Sequence, residues 1–327
     1  VSQDTHLVSN LCFKVHEHAL GVSMRPFKAF SRLFFPILLV FVSPIMAQLY
    51  SDTENLKENV ILIDHFGRKI SLLAPVNNVV SLSPGITETV FALGYGDRLI
   101  GRTAYCDFPS DVVHVASVGN LDKPDIERIV ALSPDVVIAS THFTEESLRR
   151  LDATGQNVAI LMGQDSFQGV YDGVIRPTAL LLGDIAAGET LIASMRATKE
   201  EAMKRVAEFP YAPSVYYVVG FGEGGDWTAG GDTFIGNMIE MAGGRNIAAD
   251  IRGWTFSLEA IVDRDPDIIL IPPWAEKLFS KTPVYEDLRA VREGHVYVID
   301  EDSIVRQGPR LADGYAVLVN AIGSFFK

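Results

Sequence analysis

Gly220-Phe221-Gly222-Glu223-Gly224-Gly225 matches the G-x-G-x-x-G spacing that cradles a dinucleotide pyrophosphate. That chemistry needs a helix to open on the last glycines, so that its N-terminus meets the phosphates. Asp226-Trp227-Thr228-Ala229-Gly230-Gly231 intervenes instead, and Glu240, near the acidic position of the fingerprint, falls inside a helix. The spacing fits a glycine loop that presents Trp227 toward a cleft. A secreted nucleotide-dependent enzyme using Gly220–Gly225 is the alternative reading. Metal chemistry would need clustered His and carboxylates. His65, His114, His142 and His295 each stand alone in sequence with no H-x-x-x-H pair, so no metal ligands are assigned. A bare-metal-ion receptor would require two or more of them to converge in space. Cys106 has no Cys-His or G-x-S-x-G-like companion and reads as a small packing residue, and no catalytic residue is assigned.

A second set of residues suits binding better than catalysis. Tyr105-Cys106-Asp107-Phe108-Pro109, Ser140-Thr141-His142-Phe143, Trp227, Gly253-Trp254-Thr255 and Asp302-Ser303-Ile304-Val305-Arg306 all follow strands or precede helices. In open α/β sheets that edge faces the ligand crevice. Tyr105, His142, Trp227, Trp254, Asp302 and Arg306 are therefore the expected ligand-binding residues. Glu127 and Glu259 form a third set. Each lies in the first turn of a helix, on the side away from the apolar positions. An acid there gains about 0.3–1 kcal/mol from the helix dipole. As a matched, outward-facing pair, the two also suit docking on basic residues of a partner.

The elements that position these residues carry an internal repeat. Ile126 to Ile138 reads as a short helix, a Pro-Asp turn and an apolar strand, and Leu258 to Leu270 reads the same way 132 positions later. Two similar units that far apart imply two similar lobes with a cleft between them. Around them, strands and helices alternate, as in a parallel sheet covered on both faces. Val60–Asp64 and Lys69–Leu72 flank a hairpin turn. Gly188–Glu208 forms one long helix, about 30 Å at 1.5 Å per residue, with Leu191, Ile192, Met195, Met203 and Val206 on its apolar face. Asp232 is placed as the cap of the helix that runs through Met241. The expected fold is α/β: two lobes, each with a mainly parallel central sheet, joined by one long rigid helix, with the ligand cleft between lobes. The expected boundaries are 1–47 for an upstream extension and signal peptide, 48–176 for the N-terminal lobe, 177–212 for the connecting helix and 213–327 for the C-terminal lobe.

Residues 24–47 follow the order of a secretory signal peptide. A basic stretch from Met24 to Arg32 precedes ten apolar residues, Leu33–Val42, and a small-residue site ending at Ala47. Val1–Ser23 reads as sequence upstream of a start at Met24. Ten apolar residues are too few to cross a bilayer, which takes about 20. No cysteine sits at the end of the apolar run, so a periplasmic protein without a lipoprotein cysteine is expected, not embedded in the membrane after signal cleavage. Of 28 basic and 41 acidic residues, four and two fall in the first 47, which leaves 24 against 39 and a net charge near −15. That surface argues against nucleic acid as a partner.

Val79-Val80-Ser81-Leu82-Ser83-Pro84-Gly85-Ile86-Thr87-Glu88, then Gly101 to Pro109, then both copies of the repeat, resemble the substrate-binding proteins of ABC importers for vitamin B12, ferric siderophores and haem. The resemblance implies two α/β lobes bridged by one long helix, and delivery of ligand by a monomer to an ABC transporter permease dimer driven by an ATPase. It places the permease-docking acids at Glu127 and Glu259. It matches Tyr105 to an aromatic of the vitamin B12 receptor, and Asp302 and Arg306 to a polar pair. Two tryptophans of that receptor align with Leu121 and Ser140, and a third with Gly253, beside Trp254. Arg306 and Arg310 suit an anionic chelate, and Tyr105 or His142 a haem iron. The resemblance thus implies a metal-chelate ligand with no further cofactor, and leaves corrinoid and ferric chelate both open.

Overall fold

The computed structural model describes residues 57–121, 123–140, 144–222 and 224–327. The signal peptide, Cys12, the start of the first lobe at residue 48, and His142 lie outside the described residues. The chain enters through an antiparallel hairpin, β1 (Glu58–Ile63) and β2 (Lys69–Ala74). Arg68 closes its turn by donating to Asp64, 2.8 Å away.

The N-terminal lobe is a parallel sheet of β3 (Val79–Ser81), β4 (Leu99–Arg102), β5 (Ala116–Ser117), β6 (Val136–Ala139) and β7 (Val158–Ile160), in the order β5-β4-β3-β6-β7. Its helices include α1 (Pro84–Ala92), α2 (Ile126–Ala131) and α3 (Glu145–Asp152). From Phe167 to Leu182 the chain is helical with a π turn at Tyr171–Ile175, and its last part, Arg176–Leu182, packs on the hairpin and α1. The connecting helix α4 (Ile185–Val206) follows.

The C-terminal lobe repeats the plan. Its strands β8 (Ser214–Tyr217), β10 (Arg245–Asn246), β12 (Ile268–Ile271) and β13 (Val296–Val298) form a parallel sheet in the order β10-β8-β12-β13. A small antiparallel ribbon joins β9 (Asp226–Trp227) to β11 (Thr255–Phe256). The helices used below are α5 (Phe234–Met241), α6 (Leu258–Arg264), α7 (Asp302–Val305) and the closing helix α8 (Leu311–Ser324).

The repeat supplies an interior strand to each sheet. β6 and β12 are four-residue strands with every residue buried, and each lies beside the first strand of its own lobe. Continuous apolar runs of this kind suit strands covered on both faces. The aspartate of each Pro-Asp turn clamps the neighbouring strand. Asp135 accepts from the backbone of Asn77 and Asn78 at 2.7 and 3.0 Å. Asp267 accepts from the Ser214 amide and hydroxyl, both at 2.7 Å. The helix of each repeat is capped in the same way, by Asp125 on the Arg128 amide and by Ser257 on the Ala260 amide.

The connecting helix begins three residues before the expected start because Asp184 caps it, accepting from the Ala187 amide at 2.9 Å. Its buried track is Gly188, Ile192, Met195 and Ala202. Met203 is 49% exposed, which corrects its expected place on the apolar face: it stands one residue, about 100° of helix, past Ala202. The cap of α5 is Thr233 and not Asp232, because the Asp232 carboxylate accepts from the Gly253 amide at 2.7 Å instead. The two sheets do not have separate interiors. One hydrophobic core runs from Val79 and Val136 through Ile192 and Met195 of the connecting helix to Val215, Ile268 and the closing helix at Leu318 and Ile322. The outer face of each sheet has a smaller core of its own.

Candidate functional site

Two adjoining cavities open between the lobes at the C-terminal ends of the strands. The first, about 230 Å³, is lined by Ser83, Tyr105 and Ser140 from the N-terminal lobe and by Asp302 and Arg306 from the other. The second, about 440 Å³, is lined by Asp165 on one side and by Asp232, Phe234 and Trp254 on the other. Val305 and Gln307 line both. The turn after α7 therefore forms the floor of the cleft. Gln307 stitches it to the opposite lobe by accepting from the Gly163 amide at 2.8 Å. Beside it the two backbones meet: a Cβ on Gly85 would stand 2.5 Å from the Gln307 carbonyl oxygen, so only glycine fits that place in the first turn of α1.

Arg306 lies at the centre of this floor with its side chain only 10% exposed. It donates to Glu88 of α1 at 3.1 Å, to Asp107 at 2.6 Å and to Asp302 at 2.7 Å. Arg310 grips the same Glu88 with two bonds of 2.9 and 2.8 Å and stacks over Phe108 at 4.2 Å. The bond from Arg306 holds the Asp107 carboxyl below the usual carboxylate range. Burial opposes the charge on Arg306, but its bonds to Asp107 and Glu88 outweigh burial and raise its pKa, so it stays cationic. Burial, followed by the neighbouring Asp302 and Asp300, pushes the Glu301 carboxyl up, partly offset by a hydrogen bond from Trp274. The guanidinium expected to meet an anionic ligand is thus no free cation, because three carboxylates already share it.

Of the expected ligand-binding residues, Tyr105, Asp302 and Arg306 meet in the first cavity and Trp254 lines the second. Trp227 lines neither. It pairs with Gly220 across a tight hairpin, and its ring covers that glycine so closely that a Cβ there would stand 2.9 Å from it. Gly222 and Gly225 take positive φ in that hairpin. No helix opens on Gly225, since β9 follows at once and α5 begins only at Phe234, so the loop has no phosphate-binding helix end. Among the described residues no three His, Cys, Asp or Glu side chains gather to hold a metal ion. Cys106 is buried with its thiol 3.3 Å from the Thr103 hydroxyl, and burial pushes its pKa up. Glu127 and Glu259 are exposed in the first turns of α2 and α6, one per lobe.

Sequence reading passes over one exposed aromatic. Trp274 follows β12 and stacks on Phe221, with centroids 6.1 Å apart and rings 9° from parallel. The repeat register marks it, since it stands 132 positions after His142 in the sequence.

A family model for the periplasmic binding proteins matches residues 79–303, from the first strand of the N-terminal lobe to the floor of the cleft. The chain belongs to the periplasmic binding protein family. This periplasmic binding protein is 30% identical over 269 residues to a cobalamin-binding protein of Halobacterium salinarum, covering 77% of this chain and 71% of that one. It is 28% identical over 284 residues to an uncharacterized ABC transporter substrate-binding lipoprotein of Bacillus subtilis, covering 80% and 85%. Among solved structures, the periplasmic heme-binding protein RhuT from Roseiflexus sp. RS-1 in apo form superposes with a TM-score of 0.71 at 27% identity, covering 77% and 99%. Members of this family are substrate-binding proteins, so this periplasmic binding protein is not an enzyme, and the nucleotide-dependent reading falls with the glycine hairpin. No helix among its described residues is long and apolar enough to cross a membrane.

Proposed function

We propose that this protein is the substrate-binding component of an ABC importer for a metal chelate, corrinoid or ferric siderophore or haem. The observation that carries the reading is the pair of adjoining cavities between the lobes, faced by Tyr105 on one side and Trp254 on the other. Flat aromatic faces suit a planar, partly apolar ligand, and a few polar groups fix its orientation. Relatives named for cobalamin and for heme support the same class. The ligand is held and released without any bond being broken, and no cofactor is required. Delivery is to a permease dimer, with the protein acting as a monomer and Glu127 and Glu259 meeting basic residues of one subunit each. The signal sequence read in residues 24–47 supports delivery to the periplasm, and no cysteine stands in Ser43–Ala47, at the end of its apolar run, to carry a lipid.

Titration of the protein's tryptophan fluorescence with cyanocobalamin, haem and several ferric siderophores tests the reading. Saturable quenching by at least one is expected. If none binds, the chelate reading is wrong.

A further inference from the structure

The charges on the cleft floor narrow the class of ligand, on the reading that the cleft holds a metal chelate. Arg306 is the one basic side chain among the described residues that lines either cavity. Its guanidinium is shared by Glu88, Asp107 and Asp302, and its neighbour Arg310 is held by Glu88 and Asp300. Two guanidiniums thus face four carboxylates. The second cavity adds Asp165 and Asp232 to its lining and, among the described residues, no cation. An anionic ligand reaching Arg306 would have to displace Asp107 or Asp302, or lie against them with its charge uncompensated. Like charges brought together in a partly desolvated site are repelled strongly. The remaining polar lining of the first cavity, the Ser83, Tyr105 and Ser140 hydroxyls and the Gln307 amide, suits uncharged hydrogen-bonding groups.

We infer that the cleft takes a neutral or cationic metal chelate and discriminates against chelates bearing free carboxylates or a net negative charge, with Asp107 and Asp302 as the residues that set the preference. Neither acid is needed to build the lobes, since their side chains are 59% and 41% exposed. They act by occupying the cation that an anionic ligand would otherwise use.

Calorimetric titration of the protein with cyanocobalamin (neutral), ferrioxamine B (cationic), haem (two propionates) and ferric enterobactin (anionic) tests this. The expected result is that a neutral or cationic chelate binds at least about tenfold tighter than either anionic one. Asp107→Asn combined with Asp302→Asn should shrink that ratio by about tenfold, because Arg306 then keeps Glu88 as its one remaining carboxylate partner of the three and can pair with an anionic ligand. Binding of an anionic chelate as tightly as any neutral or cationic one overturns the inference and leaves the chelate reading intact. An unchanged ratio in the double variant overturns the role of the two aspartates. Binding of no chelate overturns the chelate reading and this inference with it. The ranking in the unsubstituted protein stands as a test even where the double variant does not fold.

Discussion

Arg306 in the C-terminal lobe donates to Glu88 in the N-terminal lobe at 3.1 Å, with side-chain exposures of 10% and 2%, and this ion pair closes the floor of the cleft. Glu88 also receives both bonds from Arg310, so one buried carboxylate fastens two guanidiniums from the turn that leads into the closing helix. Removing one partner of a buried pair leaves the other charge uncompensated. Glu88→Ala is therefore expected to destabilise the protein by about 3 kcal/mol. Asp107 and Asp302 keep Arg306 partly satisfied, which holds the loss at the lower end of that range. Urea unfolding at neutral pH measures it; a change below about 1 kcal/mol would mean that water replaces Glu88 freely.

A second lobe junction bears on motion. The lobes share one core beneath the connecting helix, and the backbones of Gly85 and Gln307 touch across the cleft. Opening the cleft would expose apolar surface at about 25 cal/mol per Å² and strip the buried ion pairs. Ligand binding is accordingly expected to change the lobe angle little. Small-angle scattering with and without a bound chelate should give superimposable profiles. A large compaction on binding would contradict the shared core as a brace.

Asp267 gives the fold a dependence on acid. Burial opposes its ionisation, but hydrogen bonds from Ser214 and Arg289 outweigh burial and lower its pKa in the folded protein. The unfolded chain, with an ordinary value of about 3.9, then binds the proton more readily. Stability from this group is full above about pH 4 and is lost as pH falls through the folded pKa. Asp267→Asn should lower stability by about 1–2 kcal/mol at pH 7 and flatten the acid limb of a plot of unfolding free energy against pH. An acid limb of equal slope in the variant would assign the pH dependence to other carboxylates.

Much of this architecture is legible because it is local. The strands β6 and β12 are unbroken apolar runs, their preceding helices begin at Asp125 and Ser257, and the 132-residue offset aligns all of it. Helix starts are less legible where several capping residues lie together. Asp232 and Thr233 both qualify, and the choice falls to Thr233 because the Gly253 amide, distant in sequence, takes Asp232. The cleft residues Tyr105, Asp302 and Arg306 are found by their places at strand ends. The partners of Arg306 are not found that way. Glu88 is 218 residues away and reads locally as an ordinary helix acid. Only the packing of α1 against the cleft floor turns it inward, and with it the charge of the site reverses its meaning.

Glu127 and Glu259 occupy the same position of the two repeats, and both are exposed. The helix dipole accounts for an acid at each place, worth about 0.3–1 kcal/mol. It does not require the pair to be matched across the lobes. A partner with one basic patch per subunit does, since paired charges set orientation and encounter rate. Glu127→Lys together with Glu259→Lys should leave ligand affinity within about twofold, because both side chains lie outside the two cavities. Uptake of the chelate by cells, and stimulation of the permease ATPase in vesicles, should be lost. Each single substitution should give a partial loss, since one lobe still docks. Loss of ligand binding in the double variant would sink the docking role, and so would uptake that survives both substitutions.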